Sequence, residues 1–269
     1  MNVYIWTSGT LKNDYIWEYI PLIQNASLLG NTNTKKDVQW VRFSPDWTKM
    51  IVGFWNISNV TEYTLSTPFN PSTKTEIRTL SWTYQNSWMW FNHDGTIMIL
   101  STRVNKTSPT YIQKYTLSTP FALNTATLVQ SYSVWNKFTS WVCLSDDGKK
   151  IYINIDGEGI YQWTMSTAFD LSKISLSSWT LSSWWRWIAL RWNWKILYTS
   201  NSNSVWDYGL ISQYKLGTPY DILWNKTLLS TFNAWWWEWT ALWVSEDMGY
   251  FSWCLWWNTS QDVRMFKTN

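Results

Sequence analysis

One segment recurs five times along the chain, and recurrence at a fixed period constrains the architecture before any single residue does. It reads FSPDWTKMIV at 43–52, FNHDGTIMIL at 91–100, LSDDGKKIYI at 144–153, LRWNWKILYT at 190–199 and VSEDMGYFSW at 244–253. A second segment reads TEYTLSTPFN at 61–70, QKYTLSTPFA at 113–122, YQWTMSTAFD at 161–170 and SQYKLGTPYD at 212–221, with fainter versions at 16–22 and 263–269. With Asp46, Asp94, Asp147, Asn193 and Asp247 as markers, the spacings are 48, 53, 46 and 54 residues.

Each unit reads as four strands. An inner strand ends at the Phe, Leu or Val of the first anchor. An Asp-Gly hairpin leads to a second strand such as 49–54, and the Tyr-Thr-Leu-Ser-Thr motif lies on a third. A Pro-Phe turn then precedes an outer strand such as 127–133, with proline ending the third strand and the aromatic folding back as a core pin. A period of about 50 residues with four short strands predicts an all-β fold, a β-propeller with antiparallel blades. The expectation is about six blades in one domain, four complete at 38–85, 86–138, 139–184 and 185–236, and two partial at 1–37 and 237–269. The first unit has candidate strands at 1–8, 15–20 and 26–31 but no inner strand, and the last stops after its third. Three strands left over at each end do not sum to one blade. The expectation is therefore a piece of a longer gene product, or an incomplete ring with an irregular seam.

FSPDWTKMIV, LSDDGKKIYI and QKYTLSTPFAL resemble the bacterial repeats called YVTN or WD40-like β-propellers, and the resemblance spans nearly the whole chain. It implies the fold and is almost silent about activity, because such blades serve binding and catalytic proteins alike. The chain departs from the pattern by placing Trp47 where the resemblance implies glycine. A second shared position, Trp40, Trp88, Trp141 and Trp187, lies three residues before the Phe or Leu of the anchor, where glycine is also common in such repeats.

The chain holds 27 tryptophans and only 10 glycines. Asp94-Gly95 and Asp147-Gly148 form the expected hairpin pairs, but the sister copies read Asp46-Trp47 and Asn193-Trp194. Such turns need a positive φ, which glycine adopts without steric cost and a bulky aromatic does not. Two explanations compete. In the first, UGA codons that the source reads as glycine are written here as tryptophan, at Trp40, Trp47, Trp88, Trp141, Trp187, Trp194, Trp235, Trp236 and Trp237. In the second, the tryptophans are real and dock each blade against the next, which suits a constant position such as Trp40, Trp88, Trp141 and Trp187 but not Trp47, Trp194 or the clusters. Trp163 is expected to be an authentic aromatic, because its sisters are Tyr63, Tyr115 and Tyr214.

Catalytic constellations are thin. A triad could centre only on His93, the one histidine, which sits in a hairpin turn. Asp146 and Asp147 occupy the equivalent turn, where a carboxylate accepts backbone N–H bonds. Asp156 and Glu158 offer oxygen ligands of the kind calcium takes but lack the spacing of a calcium loop. No cofactor is expected. Cys143 and Cys254 stand in apolar strand-like runs on different repeats and read as free thiols. Charged residues make up 14% of the chain with a formal net charge of +3 and no basic run, which excludes a nucleic-acid patch. No apolar stretch approaches the ~20 residues of a membrane span, and residues 1–8 have no signal-peptide pattern.

Three functional readings follow. The first is a non-enzymatic scaffold that binds a protein or glycan on a loop face of the ring, on a cell envelope or virus particle. The second is an enzyme of lactonase-like or quinoprotein-like type, which would gather acids, histidine or a cofactor at the ring centre. The third is a glycan-binding module that stacks sugars on exposed tryptophans.

Overall fold

In a computed structural model, the described residues are 27–33, 38–54, 59–81, 85–103, 109–134, 139–155, 158–181, 185–191, 195–201, 209–218, 222, 226–234, 242–244, 250–254 and 262–267. They form five four-stranded antiparallel sheets and no α-helix.

Four sheets each arise from a continuous stretch of chain, as the repeat dictates. The first comprises β2 (Val38–Phe43), β3 (Lys49–Phe54), β4 (Asn59–Leu65) and β5 (Lys74–Ser81), following β1 (Ser27–Asn33). The second comprises β6 (Gln85–Phe91), β7 (Ile97–Arg103), β8 (Thr110–Leu117) and β9 (Ala126–Val134). The third comprises β10 (Thr139–Leu144), β11 (Lys150–Ile155), β12 (Gly159–Met165) and β13 (Ile174–Leu181), and the fourth β14 (Trp185–Arg191), β15 (Ile196–Asn201), β16 (Gly209–Leu216) and β17 (Lys226–Ala234). Within each, the strands pair in sequence order.

The fifth sheet corrects the expectation at the ends. β18 (Leu242–Val244), β19 (Tyr250–Cys254) and β20 (Asp262–Lys267) supply three strands, and β1 supplies the fourth, pairing antiparallel with β20 from Ser27↔Lys267 to Asn33↔Asp262. The two ends therefore build one blade together, and the described residues make five blades rather than six. The strand expected at 26–31 exists, but its neighbours come from the far end of the chain. The strands expected at 1–8 and 15–20 lie outside the described residues.

Inner strands meet in a ring: β2 packs beside β6, β6 beside β10, β10 beside β14, β14 beside β18, and β18 beside β2. The protein is a β-propeller. Neighbouring blades cover both faces of each sheet, so the second strand is buried almost throughout, as in β3 and β11, and reads as an unbroken apolar run rather than an alternation. The fourth strand lies at the rim and exposes most of its residues, as in β5 and β9.

Two irregularities repeat from blade to blade. A register shift on the inner strand precedes Trp40, Trp88, Trp141 and Trp187. Another falls just before Tyr63, Tyr115, Trp163 and Tyr214 of the third strand, where the fourth strand carries one extra residue. Bulges of this kind increase local twist, and their recurrence gives the blades a common shape.

Candidate functional site

The first-anchor hairpins and the Thr-Pro-Phe turns share one face of the ring, because each joins a strand running toward that face to one running away. Their geometry follows from short polar side chains. Asp46 Oδ1 accepts from Ser44 Oγ at 2.5 Å and from the Thr48 amide at 3.1 Å. Asp94 Oδ1 accepts from the Thr96 amide at 2.9 Å and its hydroxyl at 2.5 Å, and Asp147 Oδ1 from Ser145 Oγ at 2.5 Å and the Lys149 amide at 3.0 Å. The Thr96 hydroxyl and amide hold the Asp94 carboxyl below its usual range. At Asp46 partial burial pushes the other way, but the Ser44 hydroxyl and the Thr48 amide and hydroxyl more than offset it. These carboxylates close turns.

The residue after each Asp takes the left-handed conformation: φ is +71° at Gly95, +65° at Gly148 and +60° at Trp47. Across from it stands the turn aromatic, itself left-handed, with φ +65° at Phe69, +55° at Phe121 and +57° at Phe169. The Phe121 N–H donates to the Gly95 carbonyl at 3.1 Å and the Phe169 N–H to the Gly148 carbonyl at 2.8 Å. Each ring fills the space where a Cβ on that glycine would stand. Proline is dispensable here, since the third copy writes Ala168 and keeps the conformation. In the first blade the Trp47 indole sits between Phe43, at 5.2 Å between ring centroids, and Phe69, at 4.1 Å.

Blades are tied together on this face. Lys49 Nζ donates to the Pro120 carbonyl of the next blade at 3.2 Å. The Leu123 N–H reaches Glu62 Oε2 at 3.4 Å, and one blade further the Leu171 N–H donates to Gln130 Oε1 at 3.1 Å while Gln130 Nε2 donates to Asp170 at 2.8 Å. Glu62 is buried and stands 3.4 Å from Arg78 Nε, an ion pair that does not reach hydrogen-bond geometry.

On the inner strands, Trp40, Trp88 and Trp141 are fully buried and run from blade to blade, with centroids 6.4 and 6.5 Å apart. The Arg42 guanidinium lies 4.4 Å above the Trp88 ring, a cation–π contact. Trp40 covers Gly53, its register partner, so closely that a Cβ there would overlap the indole.

No protein-family model matches the chain, and no curated protein is similar to it. Several solved structures are matched at low identity. A protein of unknown function from Desulfotomaculum acetoxidans is 13% identical over 82% of this chain and 63% of its own length, with a TM-score of 0.46. The β-propeller domain of Myceliophteria thermophila Cps50 (Swd1) is 9% identical over 90% of this chain and 74% of its own, with a TM-score of 0.45. The periplasmic gluconolactonase of Pseudomonas aeruginosa is 13% identical over 80% and 64%, with a TM-score of 0.47. The chain thus spans less than two thirds of the length of the first of these.

The remaining candidate residues are dispersed. Glu158 accepts from the Tyr161 hydroxyl at 2.8 Å, whereas Asp156 lies outside the described residues. Among the described residues no group of three or more His, Cys, Asp or Glu is placed to hold a metal ion, and no helix is long and apolar enough to cross a membrane. His93 is exposed in its hairpin. Trp163 is buried, with its ring edge-on to Tyr132 at 6.0 Å. Trp187 occupies β14 opposite Ser200, while Trp194, Trp235, Trp236 and Trp237 lie outside the described residues. Cys143 is buried and in no disulfide, and its thiol donates to the Leu144 carbonyl at 3.5 Å.

The rim holds what sequence reasoning missed. Ile77 on β5, Leu128 and Val129 on β9 and Leu228 on β17 are exposed, each on the last strand of its sheet. Val129 is the extra residue of β9 at the register shift opposite Tyr115, so the regular alternation of a strand does not announce it.

Proposed function

We propose that the protein is a non-catalytic β-propeller scaffold that receives another protein along its rim. The observation that carries this reading is Leu128 and Val129 on β9, each 47% exposed, with Ile77 and Leu228 on the corresponding strands. These strands end their sheets, and among the described residues no further strand pairs with their outer edges. An open edge flanked by aliphatic side chains suits an extended peptide, whose main chain adds to the ladder while its alternate side chains meet Leu128 or Val129. Sugars stack instead on exposed aromatic faces, and the large apolar side chains exposed among the described residues are aliphatic. This favours a protein over a glycan. The anchor carboxylates of Asp46, Asp94 and Asp147 are engaged in turns, which supports a structural use for them rather than a catalytic one.

A photo-crosslinking side chain at Val129 tests the reading in an extract of the source cells. A protein adduct at 129, and none with the same group at exposed Lys149 on the turn face, is expected. Selective retention on a glycan array with no adduct at 129 would overturn it.

A further inference from the structure

We infer that residue 47 is glycine in the protein as its source makes it, the codon being a UGA read as glycine. The three described copies of the hairpin superpose in conformation: the residue after Asp46, Asp94 and Asp147 has φ of +60°, +71° and +65°. In two of them it is glycine. Among the described residues Trp47 is the one tryptophan with a positive φ, a region where a Cβ crowds the following carbonyl oxygen.

A left-handed backbone alone is not decisive, since Phe69, Phe121 and Phe169 adopt it too. That position is aromatic in every copy, phenylalanine in these three and Tyr220 in the fourth, so the turn is built around that side chain. The hairpin position is the reverse, built around a missing one. The rings of Phe121 and Phe169 occupy the volume of the absent Cβ, and their N–H groups bond the glycine carbonyls. Phe69 is their sister and stands in the same turn. A tryptophan at 47 must therefore share with Phe69 the space that the aromatic alone fills in the other two blades, and the two rings come to 4.1 Å between centroids. Its neighbours fit the glycine pattern without change: Asp46 bonds the Thr48 amide as Asp94 bonds that of Thr96, and the residue-47 N–H donates to the Ser44 carbonyl as that of Gly95 donates to Asn92.

Trp163 supplies the contrast within the same chain. It has tyrosines at its sister positions, is buried, and meets Tyr132 edge-on at 6.0 Å. An authentic tryptophan there requires UGG, so both codons should occur in one gene with different meanings.

Sequencing the gene, and tandem mass spectrometry of peptides from the protein isolated from its natural source, test this directly. UGA at codon 47 with glycine in the peptide, and UGG at codon 163 with tryptophan, are expected. A UGG codon at 47, or tryptophan in the peptide at that position, overturns the inference.

Discussion

The Phe121 ring occupies the space that a Cβ on Gly95 would fill, and the Phe121 N–H donates to the Gly95 carbonyl at 3.1 Å. Two left-handed residues from different turns thus hold each other in place. Gly95→Ala should strain the backbone by roughly 1–2 kcal/mol and add about 1–3 kcal/mol of overpacking against the ring. Its urea midpoint is expected to fall well below that of the parent, and an unchanged midpoint would show that the ring does not depend on the glycine.

Trp47→Gly should act in the opposite direction. Removing the indole frees Phe69 to cover the residue-47 backbone as Phe121 covers Gly95. Relief of the left-handed strain is worth about 1 kcal/mol or more, and a higher melting temperature in calorimetry is expected. A lower one would mean that the packing of Trp47 against Phe43 outweighs its strain.

Glu62→Ala should loosen the contact between the first two blades. The buried carboxylate faces Arg78 Nε and the Leu123 N–H, each at 3.4 Å. Because Arg78 is about one third exposed, screening moderates the loss, and about 1–3 kcal/mol is expected in chemical denaturation. Glu62→Gln should restore part of it.

Acid should weaken the turn face. Hydrogen bonds from Thr96 to Asp94, and from Ser44 and Thr48 to Asp46, hold these carboxyls below the ordinary value of 3.8. The unfolded chain then binds protons more readily than the folded one in this range, so stability rises with pH. The contribution is present above about pH 3.8 and is lost as pH falls through the lower folded values. In acid titrations followed by circular dichroism, Asp94→Asn should flatten this part of the profile.

Met265→Pro should open the closing blade. Met265 lies within β20, between β1 and β19, and pairs with Gly30 and Ser252. Proline removes a donor from the middle of a sheet, at a cost of about 3 kcal/mol or more. Hydrogen exchange is expected to speed up in β1 and β19 before it does in β7 or β11.

The blades were legible because each is local: hairpin aspartates, apolar second strands and Thr-Pro-Phe turns fall within about fifty residues of one another. The pairing of β1 with β20 was not legible, because no motif marks either strand and their register joins residues 229 to 240 positions apart. The left-handed Phe69, Phe121 and Phe169 were hidden for another reason. Phe121 and Phe169 meet the glycine of a different turn, a contact that no local propensity encodes, and Phe69 takes the same conformation opposite Trp47. Of the candidate site, the turn role of Asp147 could be read from its Asp-Gly context, whereas the exposed rim became clear only once β9 was seen to end its sheet.

The seam formed by β1 and β20 also sets an order on folding. Four blades can form as each emerges during synthesis, but Ser27–Asn33 must wait until residue 267 has been made before its partner exists. During that interval the nascent protein is an open arc with two bare ends, and loop-closure entropy makes this last pairing the slow one. Chaperone capture and mispairing between neighbouring copies should concentrate there.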